Sequence, residues 1–392
     1  MDGIHAASSD PTRATPGIDP SAPRRFRAGA GKLIGMATNL DPATLELHRR
    51  AVVADTHNDL LCSVVLRPVA QWPDYFRAQW LPQLRAGGVD IQVLPVYVDD
   101  VYRPEGALRE TLRMIEAAHR IAEGNADEVS LCLDGADIDR ALAAGRIALV
   151  LALEGVPGVD ADIELFTTLY RLGVRIASLT HFGRTALADG SGEDAAGSRL
   201  TAAGVEALAE MERLGMMLDV SHLGAAGVDH VLELATRPVL ATHSSARALC
   251  DHHRNLTDAR LAAIADGGGV VCVNFFPGFV DPHEPSISRL VDHIEHIGKV
   301  AGPGHVGIGP DFVVEMLHDV LPGGVELGPV AGCDPFAALP GLAGPAGLPL
   351  LTAELLARGL DEEVVAATLG GNVLRLFQAE LGVPADRRGA AA

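Results

Sequence analysis

Short apolar runs rich in Val, Ile, Leu and Ala recur along the chain, and Gly, Asp or Pro residues bound them. Runs of this length and composition predict β-strands. Eight runs fit this description, at residues 51–57, 89–98, 147–155, 174–182, 216–222, 238–244, 269–276 and 305–312. Between the runs, apolar residues recur every three or four positions, which predicts amphipathic helices. The clearest helical patterns cover residues 106–124, 202–215 and 286–302.

The predicted strands and helices alternate along the chain, as they do in proteins built from β-α units with a parallel sheet. Eight such units predict an α/β fold of the (β/α)8 TIM-barrel type, with an open doubly wound sheet as the alternative. We expect residues 37–385 to form this single catalytic domain. Residues 1–36 are rich in Pro, Ser, Ala and Arg without a hydrophobic period, which predicts a disordered or loosely attached arm.

The overall charge restricts the partners of the protein. The chain of 392 residues is 48% hydrophobic and carries a formal net charge of −20. Such a charge repels phosphate backbones and anionic lipid surfaces, which argues against nucleic-acid and membrane partners. No apolar run reaches the ~20 residues that a membrane-spanning helix requires. Small molecules are therefore the expected ligands.

The cysteines indicate the redox compartment. There are five of them, far apart and without a Cys-x-x-Cys pair: Cys62, Cys132, Cys250, Cys272 and Cys333. An odd, scattered set argues against a disulfide framework and against a thiolate zinc site. We expect a reducing compartment and a cytoplasmic protein.

Polar residues stand at the carboxyl ends of six predicted strands. They are His57 and Asp59, Glu154, His181, His222, His243 and Asp311. Each one alone is more often a hydrogen-bonded structural residue than a ligand. In a barrel, however, the carboxyl ends of all strands meet at one mouth, where barrel enzymes build their sites. Burying so many ionisable groups together without a cation would be electrostatically costly.

Imidazoles and carboxylates that converge in one place suit divalent transition metals, with zinc first and manganese, cobalt or iron as alternatives. His57 and Asp59 are two residues apart, so in an extended segment both side chains lie on one face and can bind one ion. His222 and His243 follow consecutive strands and could hold a second ion.

Two metal ions at about 3.5–4 Å from each other need a bridging anion. Many barrel hydrolases use a carboxylated lysine as the bridge, but the chain has only Lys32 and Lys299, and neither ends a predicted strand. Glu154 is the remaining candidate, since one carboxylate can give an oxygen to each ion.

The segments DTHNDL, LALEG, LTHFGRTALADG, LDVSH, ATHSSARALCDHHRNLTD, VNFF, GIGPDF and LGGNVLRLF occur in this order across roughly residues 45–380. This series resembles the motifs of the membrane dipeptidases (renal dipeptidase, peptidase family M19). The resemblance implies a (β/α)8 barrel with two zinc ions. It also implies hydrolysis of dipeptides, including dipeptides with a D-residue on the carboxyl side, by a metal-bridging hydroxide, and a homodimer.

The resemblance also implies roles for single residues. By motif, His57 and Asp59 are similar to the ligands of the first zinc ion, Glu154 to the bridge, and His222 and His243 to the ligands of the second. His181 resembles the histidine that contacts the substrate and its developing oxyanion. Arg254, in HHRN, resembles the arginine that binds the terminal carboxylate of the substrate, and Asp311 resembles the aspartate that transfers a proton.

The chain departs from the family pattern at two places. Val313 and Val314 follow GIGPDF where the family usually has Asp-Gly. Phe276 stands where mammalian members carry a tyrosine after Asn-Phe, so we expect a substrate pocket without that hydroxyl. Both changes bear on the substrate more than on the metals.

Three functions are therefore compared. A dinuclear zinc dipeptidase is the leading hypothesis. An amidohydrolase acting on a specialised amide or lactone is less favoured, because the first motif is His-x-Asp rather than His-x-His. A catalytically silent metal-binding member would need neither Arg254 nor Asp311. His293 and His296, three residues apart in a helical pattern, are assigned to a solvated helix face.

Overall fold

The structure is a computed structural model that describes residues 40–103, 105–321, 328 and 330–384. The arm expected over residues 1–36 lies outside these ranges. The boundaries expected for the catalytic domain, 37–385, stay a prediction.

The described residues fold into a parallel sheet that closes on itself. Its nine strands are β1 Val53–Asp55, β2 Val89–Tyr97, β3 Val129–Leu131, β4 Ile147–Glu154, β5 Val174–Ser178, β6 Met217–Asp219, β7 Leu240–Ala241, β8 Val270–Val273 and β9 Val306–Ile308. Their order is β2-β1-β9-β8-β7-β6-β5-β4-β3, and a further pairing of β2 with β4 closes the barrel. The prediction of a (β/α)8 barrel is confirmed.

Each of the eight predicted runs contains one strand of the barrel. The additional strand β3 pairs with the beginning of β4, where Val129 lies opposite Ile147. The later part of β4 pairs with β5, where Leu153 lies opposite Ala177. Strands β3 and β5 therefore pair with successive parts of β4. The barrel itself is closed by the eight strands other than β3, through the pairing of β2 with β4.

Helices follow most of the strands and surround the barrel. The described α-helices are Pro42–Arg50, Leu60–Val65, Trp72–Tyr75, Leu81–Ala86, Glu105–Gly124, Gly135–Ala143, Leu165–Arg171, Ala202–Leu214, Ala225–Leu234, Asp258–Asp266, Pro277–Val280, Ile287–Ala301, Val314–Val320, Leu348–Ala357, Glu362–Ala366 and Asn372–Glu380. The three clearest sequence patterns correspond to Glu105–Gly124, Ala202–Leu214 and Ile287–Ala301. Among these described helices, none combines the length and the apolar character needed to cross a membrane.

Strand β4 shows why the chain folds this way. All of its residues are buried, because a parallel barrel covers both faces of each strand. Leu149, Leu151 and Leu153 pack in the large cluster that the strands share with the helices. The smaller Ala148 and Ala152 belong to a second cluster, formed with alternate residues of the other strands. The side-chain period of two thus separates the barrel interior from the layer below the helices.

Candidate metal centre

The carboxyl ends of six strands deliver the predicted site residues to one mouth of the barrel. Glu154 is the last residue of β4, and the others lie within a few residues after their strands. The side chains that meet there are His57, Asp59, Glu154, His181, His222, His243 and Asp311. They form three overlapping groups, in each of which one ligand atom per residue lies within 4.8 Å of the others.

Glu154 lies at the centre of this cluster and faces histidines with both of its oxygens. Its Oε2 atom is 3.5 Å from Nε2 of His57. Its Oε1 atom is 2.9 Å from Nε2 of His222 and 3.7 Å from Nε2 of His243. One carboxylate therefore separates the His57 side of the site from the side of His222 and His243.

His57 and Asp59 share the first side of the site. Nε2 of His57 lies 3.9 Å from Oδ1 of Asp59 and 3.9 Å from Oδ1 of Asp311. Burial opposes the charge of His57, but the carboxylates of Glu154, Asp59 and Asp311 outweigh it and raise the pKa of His57 to about 10. Burial, with Glu154 close by, raises the pKa of Asp59 well above its ordinary value. The first side of the site therefore places several carboxylates around one imidazole.

His222 and His243 form the second side, and both are neutral. Burial, reinforced by the charge of Arg254, holds the pKa of His222 well below its usual range. Burial and the charge of His57 do the same for His243. The pKa of Glu154 is well below its usual range, because the neighbouring His57 and His222 outweigh the effect of burial. Neutral imidazoles beside a carboxylate are the form in which these groups bind metal.

Buried polar atoms test whether this cluster suits a cation. Asp59 is 6% exposed, and its Oδ1 atom has no hydrogen-bond partner among the described residues. A buried oxygen without a partner is destabilising unless something else satisfies it. Imidazole nitrogens and carboxylate oxygens are the donors that zinc takes in catalytic sites. The residues of the cluster therefore fit a divalent transition metal.

Asp311 is held in an uncommon backbone conformation beside His57. Its φ is 57°, in the left-handed region that Asp and Asn enter more easily than most residues. Its backbone N–H donates to the carbonyl of His57 at 3.0 Å. Nδ2 of Asn274 donates to Oδ2 of Asp311 at 2.9 Å. The amide orients the carboxylate so that Oδ1 is the atom closer to His57.

His181 lies at the edge of the cluster and is only partly buried. Its ring centroid is 4.3 Å from that of His222 and 4.8 Å from that of Tyr97. A Cβ atom on Gly155 would lie 2.9 Å from the backbone nitrogen of His181, so only glycine allows this approach. Gly155 thus allows the segment after Glu154 to lie close to His181. The side chains of Glu154 and His181 therefore point into the same site.

Arg254 is buried beside His222 and His243. It is 2% exposed. Its Nη2 atom donates to the carbonyl of His243 at 3.2 Å and lies 3.4 Å from Nε2 of His222. The Nε and Nη1 atoms have no hydrogen-bond partner within the described part of the chain. Burial lowers the pKa of Arg254 to about 10, so the group is still a cation at neutral pH.

Two aromatic rings flank this guanidinium. Its Cζ atom lies 5.8 Å from the ring centroid of Phe182 and 5.6 Å from that of Phe279. Cation–π contacts of this kind partly replace the hydration that a buried arginine loses. They leave its hydrogen-bonding edge available to an anion.

Phe276 does not belong to the cluster itself but contacts Asn274, which binds Asp311. It is 7% exposed and packs on Phe279 with ring centroids 5.0 Å apart. Its N–H donates to Oδ1 of Asn274 at 2.6 Å, and Phe276 and Asp311 line the same small cavity. The phenylalanine thus reaches the site through Asn274.

The assignment of His293 to a solvated helix face is wrong. This residue is 1% exposed. The backbone N–H of Ala246 donates to its Nδ1 atom at 3.0 Å, and its Nε2 atom lies 2.9 Å from the carbonyl of Val280. His293 therefore supports the segment between His243 and Arg254. His296 is partly exposed, and its Nε2 atom lies 2.8 Å from Oδ1 of Asp258.

Sequence reasoning missed the residues that support the ligands. Asp219, Thr242 and Asn274 are buried and form hydrogen bonds to ligand segments. Their signal is that each lies within three residues of a predicted site residue or inside the motifs LDVSH, ATHS and VNFF. Sequence spacing alone does not say which partner each one takes.

Comparison with known proteins gives the same family as the motifs. The sequence profile described as membrane dipeptidase (peptidase family M19) matches residues 43–322. The dipeptidase verJ of Clonostachys rogersoniana is 32% identical over 272 residues. That alignment spans 69% of this chain and 65% of the relative, slightly less than two thirds of its length.

Two solved structures share the fold along nearly their whole length. One is the dipeptidase AC, a metallopeptidase of family M19, with a TM-score of 0.74 and 26% identity over 85% of this chain and 99% of that chain. The other is a metallopeptidase from Rhodobacter sphaeroides bound to a phosphinate mimic of the dipeptide L-Ala-D-Ala. It has a TM-score of 0.72 and 25% identity, and the match covers 84% of this chain and 99% of that chain.

Proposed function

The chain belongs to the membrane dipeptidase family, peptidase family M19, and on this premise we propose that the protein is a metal-dependent dipeptidase. The family was predicted from the sequence motifs, and that prediction is confirmed. The finer proposal is a dinuclear zinc enzyme that hydrolyses dipeptides.

Two zinc ions are proposed to bind on the two sides of Glu154. His57 and Asp59 would hold the first ion, His222 and His243 the second, and Glu154 would give one oxygen to each. The support is that the two oxygens of Glu154 face different histidines, at 3.5 Å from His57 and 2.9 Å from His222. When bound, the ions supply a Lewis acid and lower the pKa of water, so that a nucleophile is present at neutral pH.

The observation that carries the choice of a dipeptide is the buried cation of Arg254. Two of its nitrogens have no partner in the described structure, and the group lies 3.4 Å from His222. A guanidinium takes a carboxylate with two parallel hydrogen bonds. A free α-carboxylate one residue beyond the scissile amide would occupy that edge while the amide lies at the metals. A general amide or lactone would leave the cation buried and unpaired.

The other residues receive roles from their positions. His181 can donate a hydrogen bond to the oxyanion that develops on the substrate carbonyl. Asp311 can take a proton from the attacking water and deliver it to the leaving amine. Its Oδ1 atom is suited to this, because Asn274 already occupies Oδ2. Phe276 would contribute an apolar wall to the pocket.

A D-residue on the carboxyl side is part of the proposed substrate class. The support is the Rhodobacter sphaeroides neighbour, which is bound to a mimic of L-Ala-D-Ala. Measuring hydrolysis of L-Ala-D-Ala beside that of L-Ala-L-Ala under saturating zinc tests this part of the proposal. Hydrolysis of L-Ala-L-Ala without hydrolysis of L-Ala-D-Ala would contradict it.

The central experiment compares a dipeptide, its C-terminal amide and the matching tripeptide. The amide removes the anion, and the tripeptide moves its carboxylate about 3.3–3.6 Å further along the chain. We expect kcat/KM to fall at least about tenfold for both, since a charged partner of Arg254 is lost. The variant Arg254→Lys should narrow the difference between dipeptide and amide. Equal rates on all three substrates would indicate a general amidohydrolase, and no hydrolysis of any would indicate a silent family member.

Two further parts of the proposal concern the cell and the assembly. A cytoplasmic location is supported by the five cysteines, all of which are free thiols. A homodimer is proposed from the resemblance to the family, and the size of the purified protein in solution tests it.

A further inference from the structure

We propose that Thr242 and Asp219 fix the tautomer of His243 that can bind metal, so that both are positioning residues of the metal centre. The inference rests on the proposed function, in which His243 is a zinc ligand. A neutral histidine binds a metal only through the ring nitrogen that carries no proton. Which nitrogen is free depends on the partner of the other one.

The carboxylate of Asp219 is held in place by several hydrogen bonds. Its Oδ1 atom accepts the backbone N–H of Ser221 at 3.0 Å, the Ser221 hydroxyl at 2.6 Å and the backbone N–H of Thr242 at 3.0 Å. Its Oδ2 atom lies 2.6 Å from Oγ1 of Thr242. A carboxylate only accepts, so the Thr242 hydroxyl must donate its hydrogen to Asp219.

The direction of the next hydrogen bond follows from this one. Oγ1 of Thr242 lies 2.7 Å from Nδ1 of His243. The hydroxyl has one hydrogen, and Asp219 takes it, so Thr242 can only accept from His243. Nδ1 therefore carries the proton of the neutral ring. Nε2 is left with its lone pair, and it is this atom that lies 3.7 Å from Glu154.

The groups around Thr242 and His243 support this direction of the hydrogen bonds. Thr242 and His243 are each 1% exposed, and Asp219 is 5% exposed. Ser221 lies 3.2 Å from Thr242, but its hydroxyl hydrogen already goes to Asp219, and its oxygen accepts the N–H of His243 at 3.0 Å. Every hydroxyl hydrogen in the group is thus assigned.

In a second buried histidine, His48, the hydrogen bond between Nδ1 and a threonine hydroxyl runs in the opposite direction. Nε2 of His48 lies 2.9 Å from the carbonyl of Gly87, so this nitrogen must donate. Its Nδ1 atom then accepts from Thr352, whose Oγ1 lies 2.8 Å away. The same pair of residue types therefore gives the other tautomer beside Thr352, whose hydroxyl has no carboxylate acceptor among the described residues.

The first test removes the hydroxyl of Thr242. In Thr242→Val, Nδ1–H of His243 loses its acceptor, and we expect zinc affinity, measured by chelator competition, to fall about 10- to 100-fold. Thr242→Ser keeps the hydroxyl and should restore affinity close to that of the wild type. Thr352→Val is the matched control: it removes a buried hydroxyl from a histidine outside the cluster and should leave zinc affinity unchanged. Unchanged affinity in Thr242→Val, or no recovery in Thr242→Ser, would overturn the inference.

The second test reverses the direction with a nearly isosteric change. In Asp219→Asn, the backbone N–H groups of Ser221 and Thr242 require the amide oxygen at the Oδ1 position, which places the NH2 group against Thr242. The threonine then accepts from the amide, and its own hydrogen is released from residue 219. Nδ1 of His243, at 2.7 Å, is a nearer acceptor for this hydrogen than Oγ of Ser221, at 3.2 Å, so we expect the ring proton of His243 to move to Nε2. We expect this shift in the ¹⁵N spectrum of the metal-free variant, together with weaker zinc binding. An unchanged Nδ1–H tautomer would contradict the assignment.

His243→Ala separates failure of the inference from failure of the proposed function. If this variant keeps the full zinc content, His243 is not a ligand and the proposed metal centre is wrong. If His243→Ala loses zinc while Thr242→Val and Asp219→Asn bind it as the wild type does, the centre stands and only the positioning role fails.

Discussion

Oε1 of Glu154 lies 2.9 Å from Nε2 of His222, while the other oxygen of the same carboxylate faces the opposite side of the site. A side chain in this position can join two ions only if both of its oxygens carry negative charge. The bridging role can therefore be tested by replacing the Glu154 carboxylate with an amide of nearly the same shape.

Glu154→Gln is expected to weaken both metal sites together. The substitution keeps the shape but replaces one ligand oxygen with an NH2 group, which cannot bind a cation. Elemental analysis of the wild type should give about two ions per chain, and the variant should lose metal from both sites. Glu380→Gln is the matched control, since Glu380 is also buried, at 2.9 Å from Arg237, and lies outside the cluster. Full metal content in Glu154→Gln would exclude the bridge.

Asp311→Asn separates proton transfer from metal binding. Asparagine tolerates the left-handed φ of 57° as aspartate does, so the backbone should keep its conformation. We expect turnover to fall by on the order of 10²-fold or more with metal content nearly intact. Because His57, Asp59 and Asp311 lie within ligand distance of one another, the opposite result has a clear meaning. Loss of metal would make Asp311 a ligand.

The strands and the convergence of the cluster could be predicted from sequence because both depend on local pattern. An apolar run such as 147–155 predicts β4, and Glu154 at its end predicts a side chain at the mouth of a barrel. Strand β3 is a different case, because Val129–Leu131 pairs with the beginning of β4, and this pairing depends on a tertiary contact that the local pattern does not contain.

His293 is buried, contrary to the prediction, although the helical repeat of its segment indicates a buried position. It lies three residues after Leu290 and four before Ile297, on the buried face of the helix Ile287–Ala301. The position of this side chain in the helical repeat, and not its polar character, decides its burial. The direction of the Thr242 hydrogen bond is a different case, because it depends on Asp219 from the neighbouring strand and on the register between β6 and β7.

The buried His48 makes stability depend on pH. Burial lowers the pKa of His48 below its ordinary value of 6.5, so the unfolded chain binds a proton more readily than the folded one. Stability from this residue is therefore present above pH 6.5 and is lost as pH falls through the lower folded-state pKa, by at most about 1.4 kcal/mol per pH unit.

His48→Gln should remove this part of the acid sensitivity. At pH 7.5 the variant should unfold at a lower denaturant concentration than the wild type, because the bonds to Thr352 and Gly87 are changed. As pH falls towards 5 the difference should narrow, since only the wild type has His48 to protonate. Urea unfolding at several pH values, at equal metal content, checks this. A constant difference would show that His48 does not titrate in this range.

Phe182 is expected to limit the size of the carboxyl-side residue of the substrate. Its ring centroid lies 4.7 Å from that of His181 and 5.0 Å from that of His222, and the guanidinium carbon of Arg254 is 5.8 Å away. A dipeptide with its amide at the metals and its carboxylate on Arg254 must pass its second side chain close to this ring. Phe182→Ala should therefore raise kcat/KM for a bulky second residue relative to alanine, by about 5- to 30-fold if about 1–2 kcal/mol of steric conflict is relieved.

The ratio between two substrates is the quantity to measure in this experiment. Loss of the ring also removes a cation–π contact of about 0.5–1 kcal/mol from Arg254, which should weaken binding of all dipeptides alike. A pair such as Ala-Ala and Ala-Phe cancels that common effect. Phe182→Leu keeps apolar bulk and should give an intermediate ratio. If all three proteins show the same ratio, the second side chain points away from Phe182, and the pocket that selects it lies on another side of Arg254.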